Sequence, residues 1–290
     1  MLDVVYTVDK RFLKYFTVSC YSLLYNNINI INSINIVHSS HICKYIKYIS
    51  SCIYDTFNIL PISILIDSNK VASFKVSHHV SHATYYRLLL ADILPDTYKY
   101  VLYLDSDIVV NGSLNELSSY IRSFHNTYLF AVDHRSPKDI KRIKDMGVNI
   151  NRYFNTGVLL INIEKWRNDN ITNKLLYNAN KYNDRILWWD QDILNITFSE
   201  LIGELDFKYN AWGLSEKLDI PPIIIHYAGS SKPWYFNNTH PYKYLYWKYL
   251  RQTPYKHSLP KVIYPTYIML RSIIGKVKKF IFNNINHINM

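Results

Sequence analysis

Apolar residues come in short bursts along this chain, and the spacing within each burst predicts an element. Residues 2–8 (LDVVYTV) are a short β-branched run and read as a buried strand. In 12–25 (FLKYFTVSCYSLLY), Phe12, Phe16, Ser19 or Cys20, and Leu23 fall on one side at helical spacing. A second strand follows at 34–38 (INIVH), then a helix through 41–54 and a third strand at 62–66 (ISILI). Residues 84–94 (TYYRLLLADIL) read as a helix closed by Pro95, which cannot continue it. Residues 100–104 (YVLYL) read as another buried strand. This β-α-β-α-β rhythm predicts an α/β fold with a mostly parallel, doubly wound sheet. In such sheets ligands sit beyond the carboxyl ends of the strands, where Asp9, Asp105 and Asp107 fall.

The second half continues the theme. FNTGVLLINIEKWR (154–167) predicts a strand leading into a helix. WWDQDILNITF (188–198) reads as the start of a helix with Asp190 in its first turn. IIIHYAGSSKPW (223–234) predicts a strand ending in His226, followed by a small-residue turn. Pro254, Pro260 and Pro265 interrupt regular structure beyond residue 251.

Composition adds bounds. The 290 residues suit one large domain or one domain with an appendage, and 49% hydrophobic residues are ample for a core. The excess of Tyr, Ile, Asn and Lys reads as the base composition of an AT-rich genome, so a tyrosine alone is no sign of function. The net charge of +11 is unevenly placed: no Asp or Glu follows Asp219, while ten basic residues run from Lys232 to Lys279. Residues 1–219 are therefore near neutral and the remainder is strongly basic. Cys20, Cys43 and Cys52, odd in number and without CxxC spacing, fit a reducing compartment. The acidic N-terminus does not read as a signal peptide, and no apolar window is long enough to predict a spanning helix.

The chemistry begins at YLDSDIVV. Two carboxylates, Asp105 and Asp107, close a buried strand, and unpartnered burial of either would be costly. A cation is expected beside them: an arginine, a lysine or a metal ion. YLDSDIVV, FNTGVLLIN, WWDQDILN and HYAGSSKPW, in this order, closely resemble family 8 of the glycosyltransferases over residues 2–235. The family comprises retaining, metal-dependent enzymes of the nucleotide-diphospho-sugar transferase (GT-A type) fold. It includes the bacterial galactosyl- and glucosyltransferases of lipopolysaccharide synthesis.

The resemblance implies a role for each matched residue. Asp105, Asp107 and His226 would be ligands of Mn²⁺ or Mg²⁺, and a UDP-sugar would be the donor. Hard ions take carboxylate oxygens, and Mn²⁺ also accepts imidazole. Asp9 would grip the nucleotide, although the Asn that relatives carry near it is missing. Arg87, Ser106, Gly229 and Lys232 would contact the donor, the last two at its phosphates. Asp133 would bind donor-sugar hydroxyls, and Asn155 and Gly157 would line the sugar pocket. Thr156 stands between them where most relatives have Ala or Ser. Asp190 would touch sugar hydroxyls, and Gln191 would lie near the anomeric carbon, the pair forming the catalytic centre. His79 would meet the acceptor. With Gln191 where a nucleophile would sit, front-face displacement by the leaving phosphate is the expected mechanism.

Residues 1–240 are expected to form the catalytic domain, and 241–290 a basic aromatic extension. In that extension Leu270, Ile273, Ile274, Val277 and Ile281 share one helical face, opposite Arg271, Lys276, Lys278 and Lys279. Such a helix suits an anionic membrane surface. The expectation is thus a cytoplasmic enzyme, peripheral on the inner face of the plasma membrane, with a lipid-linked or polysaccharide glycan acceptor and no nucleic-acid partner. Two other readings share the fold: a non-catalytic nucleotide-sugar-binding module, and a nucleotidyltransferase. The intact Asp105, Asp107 and His226 count against the first, and the lack of a Gly-rich basic N-terminal loop against the second.

Overall fold

Alternating side chains along each central strand divide between two apolar layers. Val4, Tyr6, Leu102 and Leu104 join one buried cluster, while Val5, Val101 and Tyr103 join the other. This is the period-two geometry of a strand covered on both faces. The computed structural model describes residues 1–76, 81–124 and 126–261, which build the sheet and its covering helices.

The chain opens with β1 (Leu2–Thr7), α1 (Leu13–Asn27), β2 (Ile31–His38), α2 (Cys43–Phe57) and β3 (Ile62–Leu65). A 3₁₀ segment, His82–Leu89, runs into the short α3 (Leu90–Ile93) and then β4 (Tyr100–Leu104). After β5 (Ile108–Val110) come α4 (Leu117–Arg122), β6 (Leu129–Asp133), α5 (Pro137–Lys144) and β7 (Phe154–Asn162). Helices α6 (Ile163–Asn168), α7 (Ile171–Tyr182) and α8 (Trp189–Phe198) lead to β8 (Ile202–Glu204), β9 (Ile224–His226) and α9 (Lys243–Leu250).

Seven strands form the main sheet in the order β3-β2-β1-β4-β7-β6-β8, and β5 and β9 form a separate two-stranded ribbon. Strand β7 runs antiparallel to both β4 and β6; the other pairs in the main sheet are parallel. The expectation of a mostly parallel doubly wound sheet is met with this one reversal. The predicted helix over 84–94 is mainly the tighter 3₁₀ form, a difference that matters at the site.

Local chemistry sets the element ends. Ser136 caps α5 by accepting from Asp139 N at 3.3 Å, with Pro137 at the first helical position. Asn162 caps α6 through Lys165 N at 2.9 Å. Asn58, at φ 56°, ends α2 in the left-handed conformation that asparagine tolerates.

A third apolar cluster joins Tyr15 and Val18 of α1 to Val109, Ile225, Tyr227, Trp234, Tyr242, Leu245, Tyr246 and Tyr249. Tyr15 stacks on Trp234 with ring centres 3.5 Å apart. The core therefore does not divide at residue 240. Tyr242, Tyr246 and Tyr249, within the expected basic aromatic extension, are buried in this cluster, so they are not free to meet a membrane. The proposed amphipathic segment lies outside the described residues.

Candidate active site

The turn between β4 and β5 carries both carboxylates, and β9 brings an imidazole to them. Asp105 leaves β4, and its N–H donates to Gly157 O of β7 at 2.8 Å. Asp107 precedes β5, whose antiparallel register with β9 sets Ile108 opposite His226. Segment 209–213 flanks the other edge of β9 through Ala211, which brings Asn210 beside the imidazole.

One ligand atom each from Asp105, Asp107 and His226 lies within 4.8 Å of the others. His226 Nε2 is 3.4 Å from Asp107 Oδ1 and 3.9 Å from Asp105 Oδ2. A chain of amides orients the ring. Gly157 N–H and Asn210 Nδ2 both donate to Asn155 Oδ1, at 3.0 and 2.8 Å, so Asn210 Oδ1 must face His226 Nδ1, 2.9 Å away. Nδ1 then carries the proton, and the Nε2 lone pair points at two carboxylates. That donor set, two hard oxygens and one bare imidazole nitrogen, fits Mn²⁺ or Mg²⁺.

The cations expected beside the carboxylates are Arg87 and Lys232. Arg87 is buried and donates to Asp105 Oδ1 and Thr156 O, both at 2.7 Å. Its guanidinium lies over the Tyr103 ring at 4.3 Å, and the Tyr103 hydroxyl donates to the same Asp105 oxygen at 2.8 Å. Lys232 donates to Asp107 Oδ2 and to Tyr227 O. Burial alone would raise the Asp107 carboxyl, yet the Lys232 ammonium holds it well below the usual carboxylate range.

The 3₁₀ form of His82–Leu89 places positions three apart in line, so Thr84 and Arg87 meet the same partner, Asp190. The Thr84 hydroxyl donates to Asp190 Oδ1. Arg87 Nε is 3.0 Å from Asp190 Oδ2, but its hydrogen is directed at Thr84 O, which leaves Oδ2 buried without a hydrogen bond. Burial pushes the Asp190 carboxyl up to about 6, against the pull of Arg87 and Thr84. Gln191 is pinned to β7: its Oε1 accepts from Thr156 N at 3.2 Å and its Nε2 donates to Tyr153 Oη at 3.3 Å.

These groups line a cavity of about 610 Å³ at the carboxyl end of the sheet. Asp9, Arg87, Asp105, Ser106, Asp107, Asn155, Asp190, Gln191, His226, Gly229 and Lys232 all face it. Two expected sugar-pocket residues do not. Asp133 turns its Oδ1 to Arg135 N at 2.8 Å, where the chain adopts φ 49°. Gly157 lies beneath the His226 ring. Asp9 reaches the cavity with Oδ1 already accepting from Arg11 N and Phe12 N, in the turn that precedes α1. His79 lies outside the described residues.

Sequence reasoning missed Tyr103, Thr84, Asn210 and the aromatic walls Trp188, Trp189 and Trp212. Trp212 stacks on His134 at 5.2 Å. The Trp188 indole donates to Asp139 at 2.9 Å, and its N–H donates to Asp192. Two signals were available: Tyr103 shares a strand face with Asp105, and Thr84 sits three residues before Arg87.

A mostly parallel α/β sheet with two carboxylates beyond its carboxyl end, an imidazole brought beside them by the β5–β9 ribbon, and a cavity over all three is the arrangement of a GT-A type glycosyltransferase. The profile of glycosyl transferase family 8 matches residues 3–238, and the chain belongs to that family. It is 30% identical over 215 residues to general stress protein A of Bacillus subtilis, covering 67% of this chain and 74% of the relative. It is 31% identical over 229 residues to a lipopolysaccharide 1,2-glucosyltransferase of Escherichia coli, covering 67% of each. The match to glycosyltransferase GlyF of Streptococcus pneumoniae, 33% over 199 residues, spans only 46% of that longer relative. The galactosyltransferase LgtC, crystallised with donor and acceptor sugar analogues, shares the fold at TM-score 0.77 and 23% identity, over 90% of this chain and 98% of that one. No helix among the described residues is long and apolar enough to cross a membrane.

Proposed function

We propose that this glycosyltransferase moves galactose or glucose from a UDP-sugar to a hydroxyl of a lipid-linked or polysaccharide glycan, with retention at the anomeric carbon. The observation that carries the reading is the Asp105, Asp107 and His226 cluster at the floor of the cavity, with Arg87 and Lys232 beside it. A lipopolysaccharide acceptor is favoured by the named activities of the relatives in Salmonella typhimurium and Escherichia coli.

A divalent ion held by Asp105, Asp107 and His226 would offset the charge of the leaving diphosphate as a Lewis acid. The remaining work falls to the chain. Lys232 and the small-residue turn at Gly229, where φ is 80°, suit the phosphates. Arg87 ties Asp105 to Asp190, so the metal side and the sugar side of the cavity share one rigid cation. Asp190 and Gln191 would face the transferred sugar. The Gln191 amide is neutral and held by Thr156 N and the Tyr153 hydroxyl, a poor nucleophile, which favours front-face displacement with the leaving phosphate taking the hydroxyl proton. All the residues given these roles lie within 1–240, the expected catalytic portion, while the fold that carries them continues past it through the third apolar cluster.

The test is UDP release from a panel of UDP-sugars with Mn²⁺, with and without glycan acceptors. Turnover should vanish in EDTA and in Asp107→Ala. Full turnover in EDTA would overturn the reading, as would a covalent sugar trapped on Asp190 for the front-face route.

A further inference from the structure

Among the described residues, Asp107 is shared between two cationic demands. Its Oδ2 accepts from Lys232, while its Oδ1 lies 3.4 Å from His226 Nε2, on the side of the ligand cluster. The Lys232 side chain is only 8% exposed, and its ammonium is held further by Tyr227 O at 2.7 Å. Any divalent ion taken up by Asp105, Asp107 and His226 would therefore share a carboxylate with a buried ammonium.

The charge count around that point is unfavourable to a bare ion. Arg87 and Lys232 face Asp105, Asp107 and Asp190, so the two cations cancel two of the three carboxylates. A divalent ion entering alone meets a single net negative charge, and the repulsion from a neighbouring lysine lowers its affinity. A diphosphate entering with the ion brings the missing negative charge.

The two cations differ in freedom. Arg87 is fixed by Thr84 O, Thr156 O, Asp105 and Asp190, and stacks on Tyr103. Lys232 is a single ammonium on a flexible stem, in the turn after Gly229, and it lines the same cavity. It can turn from Asp107 to a phosphate within that cavity without moving a strand.

We propose that Lys232 couples metal and nucleotide binding: by pairing with Asp107 it holds down the affinity of the carboxylate pair for a divalent ion, and a diphosphate relieves this by drawing the ammonium to itself. The ion and UDP then bind far better together than apart, and by linkage each tightens the other equally. This inference rests on the metal reading given above.

The experiment is Mn²⁺ titration by electron paramagnetic resonance of the full chain, with and without UDP. In the native protein UDP should tighten Mn²⁺ binding by about ten- to a hundredfold. Lys232→Met should bind Mn²⁺ about tenfold more tightly without UDP, and UDP should then tighten it only a few-fold. Lys232→Arg, which keeps the charge, should retain coupling of native size. Equal Mn²⁺ affinities and equal UDP effects in the native protein and Lys232→Met would overturn the proposal. Asp107→Ala separates the two levels: if it binds Mn²⁺ as the native protein does, the ion lies elsewhere and the metal reading itself falls.

Discussion

Gly157 lies so close under His226 that a Cβ added there would come within 2.2 Å of the ring Cε1 and 2.6 Å of Nδ1. The ring cannot simply swing aside, because Asn210 holds its Nδ1. Gly157→Ala should therefore displace the imidazole and weaken Mn²⁺ binding by at least about tenfold, while circular dichroism stays native. Unchanged Mn²⁺ affinity would show that the ring position is not needed.

Asn210 acts on the same ring from the other side. Asn210→Ala removes the acceptor that holds the proton on Nδ1 and frees the ring to rotate. Mn²⁺ affinity, read by isothermal titration calorimetry, should fall about 10- to 100-fold. Thermal stability should fall too, since Asn155 Oδ1 loses one of its two donors.

Asp190 makes a pH prediction. Burial pushes its carboxyl up to about 6 in the folded protein, whereas an unfolded carboxyl titrates at about 3.9. The folded state therefore binds this proton more readily. The contribution of Asp190 to stability improves as pH falls from 6 toward 4, and is least favourable above 6. Asp190→Asn, in EDTA, should gain roughly 1–3 kcal/mol over the native protein at pH 7.5 and lose that gain near pH 4, with transfer activity abolished. Urea denaturation at both pH values gives the answer.

Asp192 is fully buried and accepts from Arg142, Tyr153, Leu187 N and Trp188 N, which ties α5 to the start of α8. Arg142→Ala leaves that charge without its guanidinium. The cost should be about 3–5 kcal/mol in chemical denaturation. The rate should also fall, because α8 carries Asp190 and Gln191.

The third cluster bears on the catalytic boundary. A chain ended at residue 240 would expose Tyr15, Val18 and Trp234. It should be markedly less stable than one ended at 261; equal melting temperatures would restore 240 as a true domain edge.

Most of the architecture was legible because strands β1, β2 and β4 are short β-branched or aromatic runs between polar stops. The reversal of β7 was not. Its central run, Val158 to Ile161, is apolar and buried on both faces, and such a run carries no sign of its direction. The Asp105, Asp107 and His226 cluster was legible through its motifs, whereas the partners that orient it were not. Asn210 resembles any loop asparagine until the Ala211 bridges set it beside β9. Arg87, on a segment that reads as amphipathic helix, owes its burial to the 3₁₀ form that lines it up with Thr84 on Asp190.

The small ribbon of β5 and β9 has a wider consequence. Asp107 and His226 are neighbours through the pairing of three residues on each strand, so a slip of one position would turn the imidazole to the opposite side. The long excursion between them begins and ends at that clasp. Outer loops and helices along it can be lengthened or traded while the three side chains stay together, so long as Asn155, Gly157 and Asn210, which reach back to the imidazole, keep their places.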